Sequence, residues 1–151
     1  MKEKLLLIIF GCVLLTASAW AGFTMSGDVE LNSALSTLNT TATLNFPEFR
    51  TEICVNYNVT EAKIDYLITN IKMEPADVYM TVELAVIAKM PVDRVAAVYQ
   101  ANRDKGWGRI AQELGIKPGS KEFKALKGKA LGHADKIKDH SKGRGKNKPK
   151  K

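Results

Sequence analysis

Residues 75–89 read PADVYMTVELAVIAK, and the reading of this stretch decides the fold. Pro75 suits the first turn of a helix, and Asp77 in that turn complements the helix dipole. Apolar side chains then follow around most of the circumference. Asp77, Thr81 and Lys89 leave only a narrow polar stripe. A helix that is apolar almost all round is a buried one. Residues 75–89 are therefore expected to form the central helix of an all-α domain.

Working upstream, Ile64, Leu67, Ile68 and Ile71 fall on one face of a short helix, and Asn58 with Glu61 has capping-box spacing. Residues 45–59 fit two patterns. Ile53, Val55, Tyr57 and Val59 alternate as a strand would, whereas Phe46, Phe49, Ile53 and Tyr57 share a helical face. Asn45 and Glu48 have capping-box spacing, and Pro47 is tolerated in a first turn. Helix is favoured, because nothing downstream offers a second strand. Residues 22–44 place Leu31, Leu35, Leu38 and Ala42 at helical spacing, but Thr, Ser, Asn and Gly dominate the rest. Such weak helix formers predict a poorly ordered or marginally helical arm.

Downstream, Pro91 starts a helix whose core face is Val92, Val95, Ala96 and Tyr99. Gly106 should end it, and Trp107-Gly108 should turn the chain. Ile110, Ala111 and Leu114 mark a short helix that Gly115 caps in the left-handed conformation, with Ile116 as the following hydrophobic contact. After the Pro118-Gly119 turn, Ser120 is the N-cap of a last helix carrying Phe123 and Leu126. The expected fold is an all-α, compact bundle of five or six short helices with tight Gly/Pro turns, spanning 45–131. Residues 132–151 are expected to be a basic, disordered tail.

The first 21 residues read as a secretory signal. Lys2 and Lys4 form a positive start, Leu5 to Leu15 an apolar run, and Ala19-Trp20-Ala21 a cleavage site with Gly22 as the first mature residue. The run is short for a membrane span. Gly11 precedes Cys12, as in a lipoprotein signal, but the apolar run continues past the cysteine. Cleavage leaves Cys54 as the one cysteine, so no internal disulfide is possible. Cys54 then reads as a buried apolar residue or as a reactive thiol. The expected location is periplasmic or secreted, in a bacterium.

The net charge of +7 is uneven. From Lys124 to Lys151 eleven Lys or Arg face Asp135 and Asp139, while 22–123 carries ten basic and thirteen acidic residues. Lys142, Arg144, Lys146 and Lys148 in the tail are candidate contacts to an anionic surface such as lipopolysaccharide, acidic polysaccharide or phospholipid head groups. With no aromatic residue to stack on, that binding would be salt-sensitive and unselective.

Several tempting motifs dissolve into structure. GWGRIAQELGIKPGSKEF, residues 106–123, has the start of a helix-turn-helix, but its second-helix apolar positions fall on Lys121 and Lys124. A helix-turn-helix-like nucleic-acid binder is thus a minor alternative, and export argues against it. Gly106, Gly108, Gly115 and Gly119 lack phosphate-loop spacing and read as caps and turns. His133 and His140 lie among lysines, so no metal site is expected. Glu74 and Asp77 are a carboxylate pair on paper, but helix-start stabilisation accounts for them. No catalytic residue, cofactor or small-molecule substrate is evident. Trp107 is either a core anchor against the Tyr99 helix or an exposed aromatic flanked by Arg103, Lys105 and Arg109. In the second case it would line a groove for a peptide or small ligand, or serve to regulate an envelope enzyme.

The stretches MEPADVYMTVELA (73–85) and KMPVDRVAAVYQANRDKGWGRIAQELGIKPGSKEF (89–123) resemble a family of small, exported, uncharacterised bacterial proteins. That family shares a PADVY segment, a Pro-Val-Asp helix start and a GKGWG-IA--LGIKPGS-EF ending. The likeness covers roughly residues 26–126. Lys124 stands where the family pattern EFHALK has histidine. The resemblance implies export and a helical domain, and it brings no activity or ligand. The leading expectation is a non-catalytic envelope module with an anionic envelope polymer or an envelope protein as partner.

Overall fold

The computed structural model describes residues 27–144, with side chains to residue 136. The expected signal peptide, its Ala21/Gly22 cleavage site, and Lys146 and Lys148 lie outside the described residues. Within them the chain is all-α: α1 (Val29–Leu44), α2 (Phe46–Tyr57), α3 (Glu61–Thr69), α4 (Pro75–Ala88), α5 (Val92–Asn102), α6 (Gly106–Glu113) and α7 (Lys121–Arg144). Residues 45–59, ambiguous by pattern, are the helix α2. No described helix is long and apolar enough to cross a membrane.

Helix α4 is the centre, as its sequence predicts. Every residue from Pro75 to Ala85 is buried, and α1, α2, α3, α5 and α7 pack around it. Glu74 and Asp77 form a reciprocal capping box at its start. The expected polar stripe reaches water only at Lys89, because Asp77 and Thr81 are fully buried. The Thr81 hydroxyl donates to the Asp77 carbonyl at 2.8 Å, and Asp77 turns its carboxylate into the core.

Of the two readings for 22–44, a poorly ordered or a marginally helical arm, the described part is helical, and it is packed into the body. Helix α1 is capped by Asp28, whose carboxylate accepts from the Leu31 N–H at 3.0 Å. Leu31, Ala34, Leu35, Leu38 and Ala42 are buried along one face. The hydroxyls of Thr37, Thr40, Thr41 and Thr43 donate to the carbonyls four residues earlier at 2.7–3.1 Å. They satisfy themselves on the helix without breaking it, and the buried leucine face supplies what propensity lacks. Leu35→Ala should therefore cost about 3 kcal/mol of unfolding free energy in urea melts. A loss below about 0.5 kcal/mol would mean that α1 is an ornamental arm after all.

Two caps differ from expectation. Thr60, and not Asn58, caps α3, accepting from the Lys63 N–H at 3.3 Å. Asn58 instead ends α2 in the left-handed conformation, at φ 52°. Asn45 makes no side-chain cap bond to α2; its amide meets the Glu48 carboxylate directly. The end of α6 follows the prediction closely. Gly115 has φ 83°, its N–H reaches the Gln112 carbonyl at 2.9 Å, and the Ile116 N–H reaches Ala111 at 2.9 Å. This is the paired bonding of a left-handed glycine cap.

The last helix is longer than expected. Ser120 accepts from the Phe123 N–H at 3.1 Å, and the helical backbone of α7 runs to Arg144. The expected boundary at 132 is therefore corrected. Leu126, Ala130 and Ala134 are buried at four-residue spacing, and α7 lies on α1 and α4. Disorder expected for 141–144 does not hold for their backbone, and residues 145–151 lie outside the description.

Candidate functional site

Polar chemistry in this fold gathers where α7 meets the body. Lys127 reaches Asp28 at 3.1 Å and Glu30 at 2.5 Å, at the start of α1. These bonds raise the Lys127 ammonium above its ordinary pKa. The cap bond from Leu31, helped by Lys127, lowers that of Asp28. Two residues along, Lys129 reaches Glu83 on α4 at 2.9 Å. The Glu83 side chain is only 4% exposed. Its other donors are the Tyr57 hydroxyl from α2 and, at the long limit of 3.5 Å, the Tyr79 hydroxyl. Burial, reinforced by the Glu83 carboxylate, pushes both tyrosine hydroxyls far up, so they remain donors.

His133 extends the seam. Its ring stacks on Tyr79 at 4.8 Å between centroids. Nδ1 lies 3.5 Å from a Glu52 oxygen of α2, while Nε2 is buried without a partner. Burial lowers the pKa of the ring. The pairs Glu83–Lys129 and Tyr79–His133 run in opposite numerical order, so α4 and α7 are antiparallel. The seam thus joins Glu52 and Tyr57, Tyr79 and Glu83, and Lys129 and His133 from three helices. Pattern alone singles out none of these as a site residue. The signal is available in part: Tyr79/Glu83 and Lys129/His133 are each spaced four apart and so share a helix face.

A second polar node sits deeper. Asp77 accepts from the Trp107 indole N–H at 3.0 Å on Oδ1 and from the Tyr99 hydroxyl at 2.9 Å on Oδ2. Its Oδ2 also accepts from the Glu74 N–H at 3.3 Å. Trp107 lies against Tyr99 at 5.3 Å between centroids, and both rings are fully buried. The exposed-aromatic reading of Trp107 is thereby corrected: no groove is formed by this side chain. The chain turns at Gly106, with φ 80°, and Trp107 enters the first turn of α6 pointing inward.

The cations expected around Trp107 have local tasks. Arg103 donates to the Lys72 carbonyl at 2.9 Å and lies over the Tyr99 ring. Lys105 reaches the Asn102 side-chain oxygen at 3.1 Å. Arg109 pairs with Glu113 of its own helix at 2.6 Å. Lys142 and Arg144 lie on the α7 backbone, beyond the described side chains. Lys124, in the position where the resembled pattern has histidine, is exposed. The Cys54 thiol is partly buried, and burial raises its pKa, away from the thiolate a reactive cysteine needs.

A pocket of about 450 Å³ opens elsewhere, lined by Thr43, Phe46, Ile68, Lys72, Met73, Glu74 and Pro75. It lies where α1 and α3 end and α2 and α4 begin, and Trp107 is not part of it. Among the described residues no cluster of His, Cys, Asp and Glu could hold a metal ion. No protein-family model, curated protein or solved structure matches this chain.

Proposed function

We propose that this protein is an exported, non-catalytic helical module of the bacterial cell envelope, whose basic C-terminal end engages anionic surfaces. The observation that carries the reading is the division of charge along α7. Lys127 and Lys129 are already neutralised by Asp28, Glu30 and Glu83 of the body. Residues 136–151 hold eight Lys or Arg against Asp139, a net of +7, which equals the charge of the whole chain. After removal of residues 1–21, with their net +1, the body from 22 to 135 carries a net of only −1, and the basic excess follows the last buried residue described, Ala134. The absence of catalysis is supported by the engagement of the buried carboxylates Asp77 and Glu83 with the protein's own donors. Export rests on the tripartite pattern of residues 1–21 and on the family resemblance.

The test is a chain ending at Lys136. A cut after residue 130 would be ambiguous, because it removes His133 and Ala134 from the body. Each basic residue near an anionic membrane contributes about 1 kcal/mol. If half of the seven removed cations engage, binding to anionic phospholipid vesicles or lipopolysaccharide at low salt should fall about three-hundredfold. Added salt should weaken the full-length protein in the same direction. Equal binding by the two chains would refute the proposal.

A further inference from the structure

We propose that His133 is an acid-sensitive catch holding α7 against the body, so that the basic helix is released as the surroundings acidify. The geometry around the ring carries the inference. With Glu52 facing Nδ1 at 3.5 Å, the neutral ring keeps its proton on Nδ1 and a bare lone pair on Nε2. A second proton must go to Nε2, which is buried and has no acceptor. A buried N–H left without a partner is costly, and more so on a cation. Once α7 lifts away, the same nitrogen meets water and protonates freely.

The charged groups facing the ring come from every helix packed there. Helix α2 brings Glu52 and, through its hydroxyl on Glu83, Tyr57. Helix α4 brings Tyr79 and Glu83. Helix α7 itself brings Lys129, Asp135 and Lys136, and α1 has no titratable side chain after Glu30. Glu52 and Glu83 favour the imidazolium, and Lys136 opposes it. Glu83 is already shared between Lys129 and two tyrosine hydroxyls. Burial outweighs these charges and lowers the ring's pKa. The docked state therefore binds fewer protons than the released state just below the ordinary histidine value. By linkage, docking is at full strength above about pH 6.5 and weakens as pH falls below it. That the freed helix then binds anionic surfaces rests on the proposed function; its release does not.

The experiment is amide hydrogen exchange on the mature full-length chain at pH 7.5 and pH 5.0, expressed as protection relative to the intrinsic rate at each pH. Protection over 126–136 should drop about tenfold at pH 5.0. The ceiling is about thirtyfold for a ring of ordinary pKa. Protection over α4 should hold. His133→Phe keeps an aromatic ring on Tyr79 without a titrating nitrogen and should abolish the drop. Should that variant not fold, His133→Gln serves, together with the ring-proton titration of His133 in the unaltered protein. A constant protection in the unaltered chain, the same drop in the variant, a uniform loss across α4 and α7, or a ring titrating at or above about pH 6.5 each overturns the catch. None of these readouts uses a ligand, so a failed catch and a failed surface-binding model remain distinguishable.

Discussion

Replacing Asp77 with alanine is expected to destabilise the fold by about 4 kcal/mol, close to the whole stability of a marginal domain. Its carboxylate receives the Trp107 indole, the Tyr99 hydroxyl and the Glu74 N–H. Alanine strands all of these donors in a buried site and removes half of the α4 capping box. The isosteric Asp77→Asn should cost less, about 2 kcal/mol. The amide can keep its oxygen on the indole, which can only donate. It must then turn its NH2 toward Tyr99, whose hydroxyl can rotate and accept. Urea denaturation followed by circular dichroism gives both numbers. If Asp77→Ala melts like the unaltered chain, the node is decorative and the assignment of α4 as keystone fails.

Trp107→Ala should cost a similar amount, about 4 kcal/mol, chiefly through the cavity left by a fully buried indole. Trp107→Phe refills most of that volume and deletes only the donor to Asp77, for about 1–2 kcal/mol. The two positions share a bond, so the double variant should cost less than the sum of the single ones. A Trp107→Ala protein that keeps its midpoint in urea would restore the surface role that burial denies to this residue. After removal of residues 1–21, Trp107 is the one tryptophan in the chain, and its emission reports on the Asp77 node directly.

These two residues also show where reading the chain succeeds and where it stops. Burial of α4 is legible, because a helix apolar around nearly its whole circumference is stable only away from water. The left-handed cap at Gly115 with Ile116 behind it is legible too, since both signals are local and agree. Trp107 reads as part of a turn because glycines flank it. In the fold α5 ends at Asn102 and not at Gly106; a 3-10 turn at Arg103–Lys105 follows, and Gly106 in positive φ starts the next helix. Propensity underrates α1 because it sees Thr and Asn, whereas the stability of this helix comes from α4 and α7, far away in sequence. Distance hides the seam as well: Lys127 meets Asp28 across 99 positions and Lys129 meets Glu83 across 46. A lysine bound for such a partner looks the same as one bound for solvent. The small residues Ala130 and Ala134 give α7 too faint a stripe to distinguish from a charged tail.

The contact of the first described helix with the last constrains when folding can happen. Leu31, Leu35 and Leu38 are covered in part by a helix that begins only at Lys121. A chain made from its N-terminus keeps the part of that stripe meant for α7 bare until nearly everything else has been synthesised. Such a long closure also slows the search for the native state. For a nascent chain this interval is a hazard, since uncovered apolar surface invites aggregation. For the export proposed above it is an advantage: a polypeptide that cannot close prematurely remains threadable through a narrow pore, and completes its helical bundle on the far side.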